Sequence, residues 1–213
     1  RVVEAPEPDA HFPVPARFNF TRDVVEAAAS TDAFRHAMTF VDHEGIIDRR
    51  TYKEIAYDAS RWTSLFRSRG LVAGDRVAVL VGRTPLWHSI VLGALKGGFV
   101  AVPCPESFDA DELTQRLAHC DARATVTDRA HAASATEAIE DGNGERVRPE
   151  PNRVLIVEDL KEELRGHPVE EPTHDTAADD PAFILYTAGT SGAPKGAVHT
   201  HSSTWMMRLQ AEH

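Results

Sequence analysis

From Asp75 onward the chain alternates short apolar runs with longer segments of helical period. "DRVAVLV" (75–81) gives way to "PLWHSIVLGALKGG" (85–98), then "FVAVPC" (99–104), "DADELTQRLAHC" (109–120) and "RATVTD" (123–128). The short runs lack polar alternation, so each reads as a strand buried on both faces. The longer segments carry helix punctuation: Pro85 near the start of one, Gly97 and Gly98 at its end, and Asp109 as the cap of the next. A helix from about Arg129 to Ile139, a turn-rich stretch over 140–152 and the strands "RVLIVED" and "AFILYTA" extend the series. Strands alternating with helices predict an α/β fold, a mainly parallel sheet with helices on both faces. In that architecture ligands sit in loops beyond the carboxyl ends of the strands.

The part before Asp75 is organised differently. Prolines at 6, 8, 13 and 15 exclude a helix, so residues 1–20 are expected to form an extended arm ahead of an α/β domain over 21–213. Thr21 is the expected cap of a helix reaching about His36, with Val24, Val25, Ala28 and Phe34 as its apolar positions. "MTFVDHEGIIDRRTY" reads as a hairpin turning at Glu44-Gly45. Thr51 and Glu54 form a capping box for the helix "YKEIAYDASRWTSLFRSRG", which Gly70 ends. Trp62 and Trp87 lie at helical spacing from apolar neighbours and are assigned to the core.

Charge narrows the partners. The chain has 23 Lys and Arg against 33 Asp and Glu, a net charge of −10. Nucleic acid and anionic membranes select basic faces, so neither is expected as the main partner. Much of the excess lies between Glu158 and Asp180, where nine carboxylates face only Lys161 and Arg165; with no recurring ligand spacing, this segment reads as a solvated connection. Cys104 and Cys120 form no CxxC pair, so neither a zinc ribbon nor a disulfide framework is indicated, and a reducing cytoplasm is expected. No apolar run approaches the roughly 20 residues of a bilayer span. The chain opens on Arg1 and stops in "WMMRLQAEH", so both ends are expected to be cut from a longer protein.

After the apolar "AFILY" comes "TAGTSGAPKG" (187–196). Gly189 and Gly192 let backbone N–H groups converge into an anion nest, while Thr187, Thr190 and Ser191 add hydroxyl donors. Lys195 adds a mobile positive charge, and Ala193-Pro194 restricts the loop just before it. The set suits a polyphosphate. A Walker loop requires hydroxyl after the lysine, where Gly196 stands, and a nucleophile elbow requires glycine where Ala193 stands. Both are excluded.

The longer stretch "YTAGTSGAPKGAVHTH" (186–201) resembles the phosphate-binding motif Y-T-S-G-T-T-G-x-P-K-G of the AMP-forming acyl-CoA synthetase and adenylation superfamily. Tyr186, Thr187, Gly189, Thr190, Gly192, Pro194, Lys195 and Gly196 match, Ser191 is a conservative change, and Ala188 replaces the usual serine hydroxyl. "RTYKEIA", "GDRVAVLVGRTPLWHSIVLGALKGGFVAVPC" and "ELTQRLAHCDARATVTD" resemble the same family's N-terminal region in the same order, and "RFNFTRDVVE" is most similar to medium-chain fatty-acid and benzoate-type ligases. The resemblance implies a carboxylic acid, ATP and coenzyme A as substrates: the carboxylate attacks the α-phosphate, pyrophosphate leaves, and the thiol displaces AMP. It implies that Thr187, Ala188, Gly189, Thr190, Ser191, Gly192 and Lys195 hold the outer phosphates. The Mg2+ ligands, the catalytic lysine and the small C-terminal domain would lie beyond this chain, which is therefore expected to be inactive alone. An adenylation domain loading a carrier protein, or a nucleotide-binding module without chemistry, are the alternatives.

Other residues invite a reading. His199 and His201 flank Thr200 and would share a face of an extended segment, yet without a third ligand they are taken as polar or pocket-lining residues. His119-Cys120 is read as a helix-terminal cap beside a buried thiol. Trp205, Met206 and Met207 are assigned to the packing of a helix after the loop, with contact to an acyl chain as the other reading.

Overall fold

A computed structural model of the protein describes residues 13–139, 153–187 and 195–212. The turn-rich stretch 140–152 and the loop residues 188–194 lie outside the described residues.

The apolar runs all become strands. β1 (His36–Val41) and β2 (Ile47–Thr51) form an antiparallel hairpin that turns at Gly45, φ +83°. The remaining strands are β3 (Arg76–Leu80), β4 (Val100–Pro103), β5 (Ala122–Thr127), β6 (Arg153–Ile156), β7 (Pro181–Thr187) and β8 (Lys195–Thr200). They form one sheet in the order β6-β5-β3-β4-β7-β8, parallel throughout except for β7 and β8. β3 therefore sits inside the sheet, with β4 on one side and β5 on the other.

The helices are α1 (Ala27–Thr31), continuous with a π-helical stretch Thr21–Glu26, then α2 (Tyr52–Ser68), α3 (Pro85–Lys96), α4 (Ala110–Cys120), α5 (Ala132–Ile139), α6 (Lys161–Gly166) and α7 (His201–Glu212). Their ends follow local chemistry. In α2 the Glu54 N–H donates to Thr51 Oγ1 at 3.2 Å, and the Thr51 N–H donates to Glu54 Oε2 at 2.8 Å. Asp109 and Glu112 form the same reciprocal pair at the start of α4.

Alternate strand residues feed two cores, one on each side of the sheet. Val77, Val79 and Val81 pack with Trp62, Leu65 and Phe66 of α2 and Ile90, Val91 and Ala94 of α3. Ala78, Leu80 and Val102 face the other way, against Leu113 and Leu117 of α4 and Ala135 and Ala138 of α5. Helices thus cover both faces, as the sequence predicted. The crossing of α2 and α3 depends on Gly93, because a Cβ there would lie 2.6 Å from Trp62 Cβ and 2.8 Å from the Ala59 carbonyl. Thr63 Oγ1 seals the crossing by donating to the Ala59 and Gly93 carbonyls, at 3.0 and 2.7 Å.

Several expectations are corrected. The first helix ends at Thr31, not His36, because the Asp32 carboxylate accepts from the Phe34 N–H at 2.9 Å and turns the chain out. Phe34 is consequently 88% exposed and no core residue. Thr21 is not the cap: its hydroxyl donates to the Leu92 carbonyl, and Asn19 caps instead, accepting from the Thr21 N–H through Oδ1. The Asn19 N–H in turn donates to Asp23 Oδ2. Trp62 is core, but Trp87 is only half-buried.

The acidic connection is also more than a solvated linker. It contains α6, and it then straps across the helical face toward β7. Arg69 forms a bidentate pair with Glu163, at 2.6 and 2.8 Å, and Arg67 pairs with Glu171. The His174 N–H donates to the Lys96 carbonyl, and Thr176 is buried against Phe18 and Asn19. Lys96, itself buried, reaches both Glu26 and Thr173. Arginines in the last turn of α2 and just past its end attract the carboxylates of the strap, an attraction that composition cannot reveal.

Candidate functional site

β7 enters the sheet beside β4 and leads directly into the glycine-rich loop. β8 returns antiparallel to it, with Tyr186 opposite Gly196 and Thr187 opposite Lys195. Both ends of the loop are thereby fixed: Cα atoms of facing residues in such a ladder lie about 5 Å apart. Thr187 and Lys195 are exposed at the carboxyl end of β7, with their side chains available to a ligand. Ala188, Gly189, Thr190, Ser191 and Gly192 lie outside the described residues.

The chain's connections reverse at this end of the sheet. From β3 the crossover through α3 leads to β4, and from β4 the crossover through α4 passes back to β5 on the far side of β3. The connections from β3 and β5 therefore diverge, and the gap between these two neighbouring strands is the switch point of the sheet. Next to it, beyond the carboxyl ends of β3, β4 and β7, lies a cavity of about 1370 Å³ lined by residues that include Val81, Arg83, Cys104, Glu106, Leu185 and Thr187. Phe40 and Met38 of the hairpin form another wall.

Polar groups border this crevice. Asp128, at the end of β5, accepts from the Gly82 N–H at 2.8 Å and pairs with His131 Nδ1 at 2.7 Å. Burial acts to raise its pKa, but those hydrogen bonds outweigh it and hold the carboxyl below its ordinary value. Cys104 behaves oppositely: burial pushes its thiol up to about 12, so it is no nucleophile at neutral pH.

The profile of the family described as AMP-binding enzyme matches residues 25–212. The chain belongs to that family. Among curated relatives, the long-chain-fatty-acid–CoA ligase FadD13 of Mycobacterium tuberculosis is 33% identical over 159 residues, covering 73% of this chain and 30% of the ligase. The mitochondrial acyl-coenzyme A synthetase ACSM2 of Rattus norvegicus is 29% identical over 211 residues, covering 91% of this chain and 35% of that protein. A benzoate CoA ligase structure from Burkholderia xenovorans superposes with a TM-score of 0.74 at 25% identity, covering 92% of this chain and 37% of that one. The chain thus spans about a third of the length of these relatives.

The remaining candidates separate. His199 lies on β8 and His201 opens α7, so the two do not share one extended face. His201 is fully buried, neither ring nitrogen has a hydrogen-bond partner among the described residues, and burial lowers its pKa to about 4. Among the described residues no group of three or more His, Cys, Asp or Glu side chains converges to hold a metal. His119 precedes the end of α4, where Asp121 turns left-handed at φ 52°, and its ring meets Tyr186. Met206 and Met207 are 40% and 52% exposed, so α7 does not bury them as core. Met207 instead lines a second cavity of about 720 Å³ with Phe20, Trp87, Leu92 and Phe183.

The sequence missed β8, the walls contributed by the β1–β2 hairpin and the burial of His201. "KGAVHT" carries a weak strand signal in Val198 and Thr200, which the preceding glycines obscured. Nothing local marks His201 as interior.

Proposed function

We propose that the chain is the N-terminal portion of an ATP-dependent carboxylic acid–CoA ligase, with Thr187, Ala188, Gly189, Thr190, Ser191, Gly192 and Lys195 holding the outer phosphates of ATP. The observation that carries this is the pairing of Thr187 with Lys195 at the carboxyl end of β7, beside the cavity beyond the ends of β3, β4 and β7. The glycine-rich connection between them leaves the sheet where an α/β fold receives a ligand.

In the first step a carboxylate oxygen of the acid bonds to the α-phosphorus, and the bond from that phosphorus to the bridging oxygen breaks. Pyrophosphate leaves with the electron pair. Backbone N–H groups and Lys195 would stabilise the charge growing on it, which is the electrostatic contribution of this chain. The coenzyme A thiol then displaces AMP from the acyl-adenylate. The Mg2+ implied by the family has no donor set among the described residues, so no residue here is assigned to it. Medium-chain fatty and aromatic acids are the substrate classes proposed, on the resemblance of "RFNFTRDVVE"; the fatty-acid ligase FadD13 and the benzoate CoA ligase support a fatty or an aromatic acid. The cytoplasm is the compartment proposed, in keeping with two buried thiols.

The test is pyrophosphate release by the native-length protein that contains this sequence, with ATP and a panel of such acids. Release should require the acid, and Lys195→Ala should lower kcat/KM about 100-fold. The 213-residue chain alone should release none. Normal rates for the Lys195→Ala protein would overturn the phosphate assignment, and turnover with a carrier-protein thiol in place of coenzyme A would favour a carrier-loading enzyme.

A further inference from the structure

Tyr186 stands one residue before the loop, and its ring is held from two directions. Across the hairpin it faces Gly196, where a Cβ would come within 2.8 Å of Ile184 Cγ2 and 3.3 Å of the Tyr186 ring. Glycine is what lets the ring lie over β8. At the other end, the Tyr186 hydroxyl reaches the last turns of α4. It donates to the Arg116 carbonyl at 3.3 Å and meets His119 Nδ1 at 2.8 Å, with the two rings edge to face, centroids 5.7 Å apart. A phenol has one proton; with that proton on the Arg116 carbonyl, its oxygen accepts from the Nδ1–H of His119.

The residues that follow Tyr186 and precede Gly196 are Thr187 and Lys195, the two ends of the loop. A contact that fixes the height and tilt of the Tyr186–Gly196 pair therefore fixes both points from which the loop springs. We propose that His119 and Tyr186 are positioning residues for this loop: the end of α4 grips the Tyr186 hydroxyl and so sets the loop's geometry for ATP. The proposal rests on the phosphate-binding reading above. Burial, and then the neighbouring Cys120, raise the Tyr186 pKa, so the hydroxyl keeps its proton through the neutral range. His119 itself is exposed at the surface of α4, so replacing it leaves the core intact.

The experiment measures KM for ATP and kcat in the native-length protein for Tyr186→Phe, His119→Leu, His119→Asn, the double variant Tyr186→Phe with His119→Leu, and Lys195→Ala. A hydrogen bond of ordinary net strength corresponds to roughly a 2- to 10-fold effect. Tyr186→Phe and His119→Leu should each raise KM for ATP about 5-fold, with KM for the acid unchanged. His119→Asn, which can place an amide N–H near the Nδ1 position, should bring KM for ATP back within about twofold of wild type. The double variant should be no worse than Tyr186→Phe alone, because that single variant already removes the contact with His119. KM does not depend on the fraction of folded enzyme, so partial unfolding of a variant cannot imitate the result. Unchanged KM for ATP in His119→Leu, or a double variant equal to the product of the singles, overturns the proposal. If Lys195→Ala is damaged while these variants are not, only the positioning role fails. If Lys195→Ala behaves as wild type, the phosphate-binding reading fails first.

Discussion

Acidification tests the packing of α7 through one side chain. His201 opens that helix fully buried, both ring nitrogens lacking hydrogen-bond partners among the described residues, while its backbone N–H donates to the Asp180 carbonyl at 3.0 Å. The next residue, Ser202, donates from its N–H to the Ala178 carbonyl at 2.8 Å, so the imidazole is sealed beneath the strap. Burial is the main cause of its lowered pKa; His174 and Arg22 add to the lowering, while Asp180 and Asp23 oppose it. The folded pKa is about 4 against 6.5 for the free side chain. In the unfolded chain His201 takes a proton as the pH falls through 6.5, whereas the folded chain resists until about 4. Stability therefore rises with pH across that window and is progressively lost on acidification. A gap of this size corresponds to about 3 kcal/mol between the two limits, at 1.36 kcal/mol for each pH unit. That is a large share of the roughly 5–15 kcal/mol that holds a domain folded.

The assay is urea unfolding of wild type and His201→Leu at intervals between pH 7 and pH 4. Carboxylate titrations common to both proteins largely cancel in the difference. Wild type should lose about 3 kcal/mol more than His201→Leu over that range. At pH 7 the leucine variant should be at least as stable, because two buried nitrogens without hydrogen bonds are removed. A stability difference that stays constant from pH 7 to pH 4 would refute the reasoning, and would mean that the imidazole finds water or a partner when folded.

Other expected outcomes follow from packing and caps. Gly93→Ala places a methyl against Trp62 Cβ and the Ala59 carbonyl. Overpacking costs about 1–3 kcal/mol and better helix propensity offsets about 1, so the midpoint temperature should fall by a few degrees in calorimetry. Thr51→Ala breaks the capping box at the start of α2 and should cost about 1 kcal/mol in urea unfolding, whereas Thr51→Ser should cost less than half of that.

Local chemistry made much of this protein readable before any coordinates. The apolar runs became strands, and the inner ones, β3 and β4, are buried along nearly their whole length, which is why they had to be apolar throughout. Thr51 with Glu54, Asp109 with Glu112, and Gly70 at positive φ marked helix ends through contacts made within a few residues. The loop's composition suits an anion, which is the reading the proposed function rests on. Tertiary structure decided what depends on partners distant along the chain. It placed β7 beside β4 and folded β8 back on it, so that Thr187 and Lys195 meet. It exposed Phe34, where the Asp32 turn ended a helix early, and buried His201, which no local pattern distinguishes from a surface histidine. It also drew the acidic strap onto Arg67 and Arg69. Caps and periodicities act over a few residues and are written locally. Strand order, burial and ion pairing are settled by which surfaces meet after the chain has crossed itself, and that information exists only in the assembled fold.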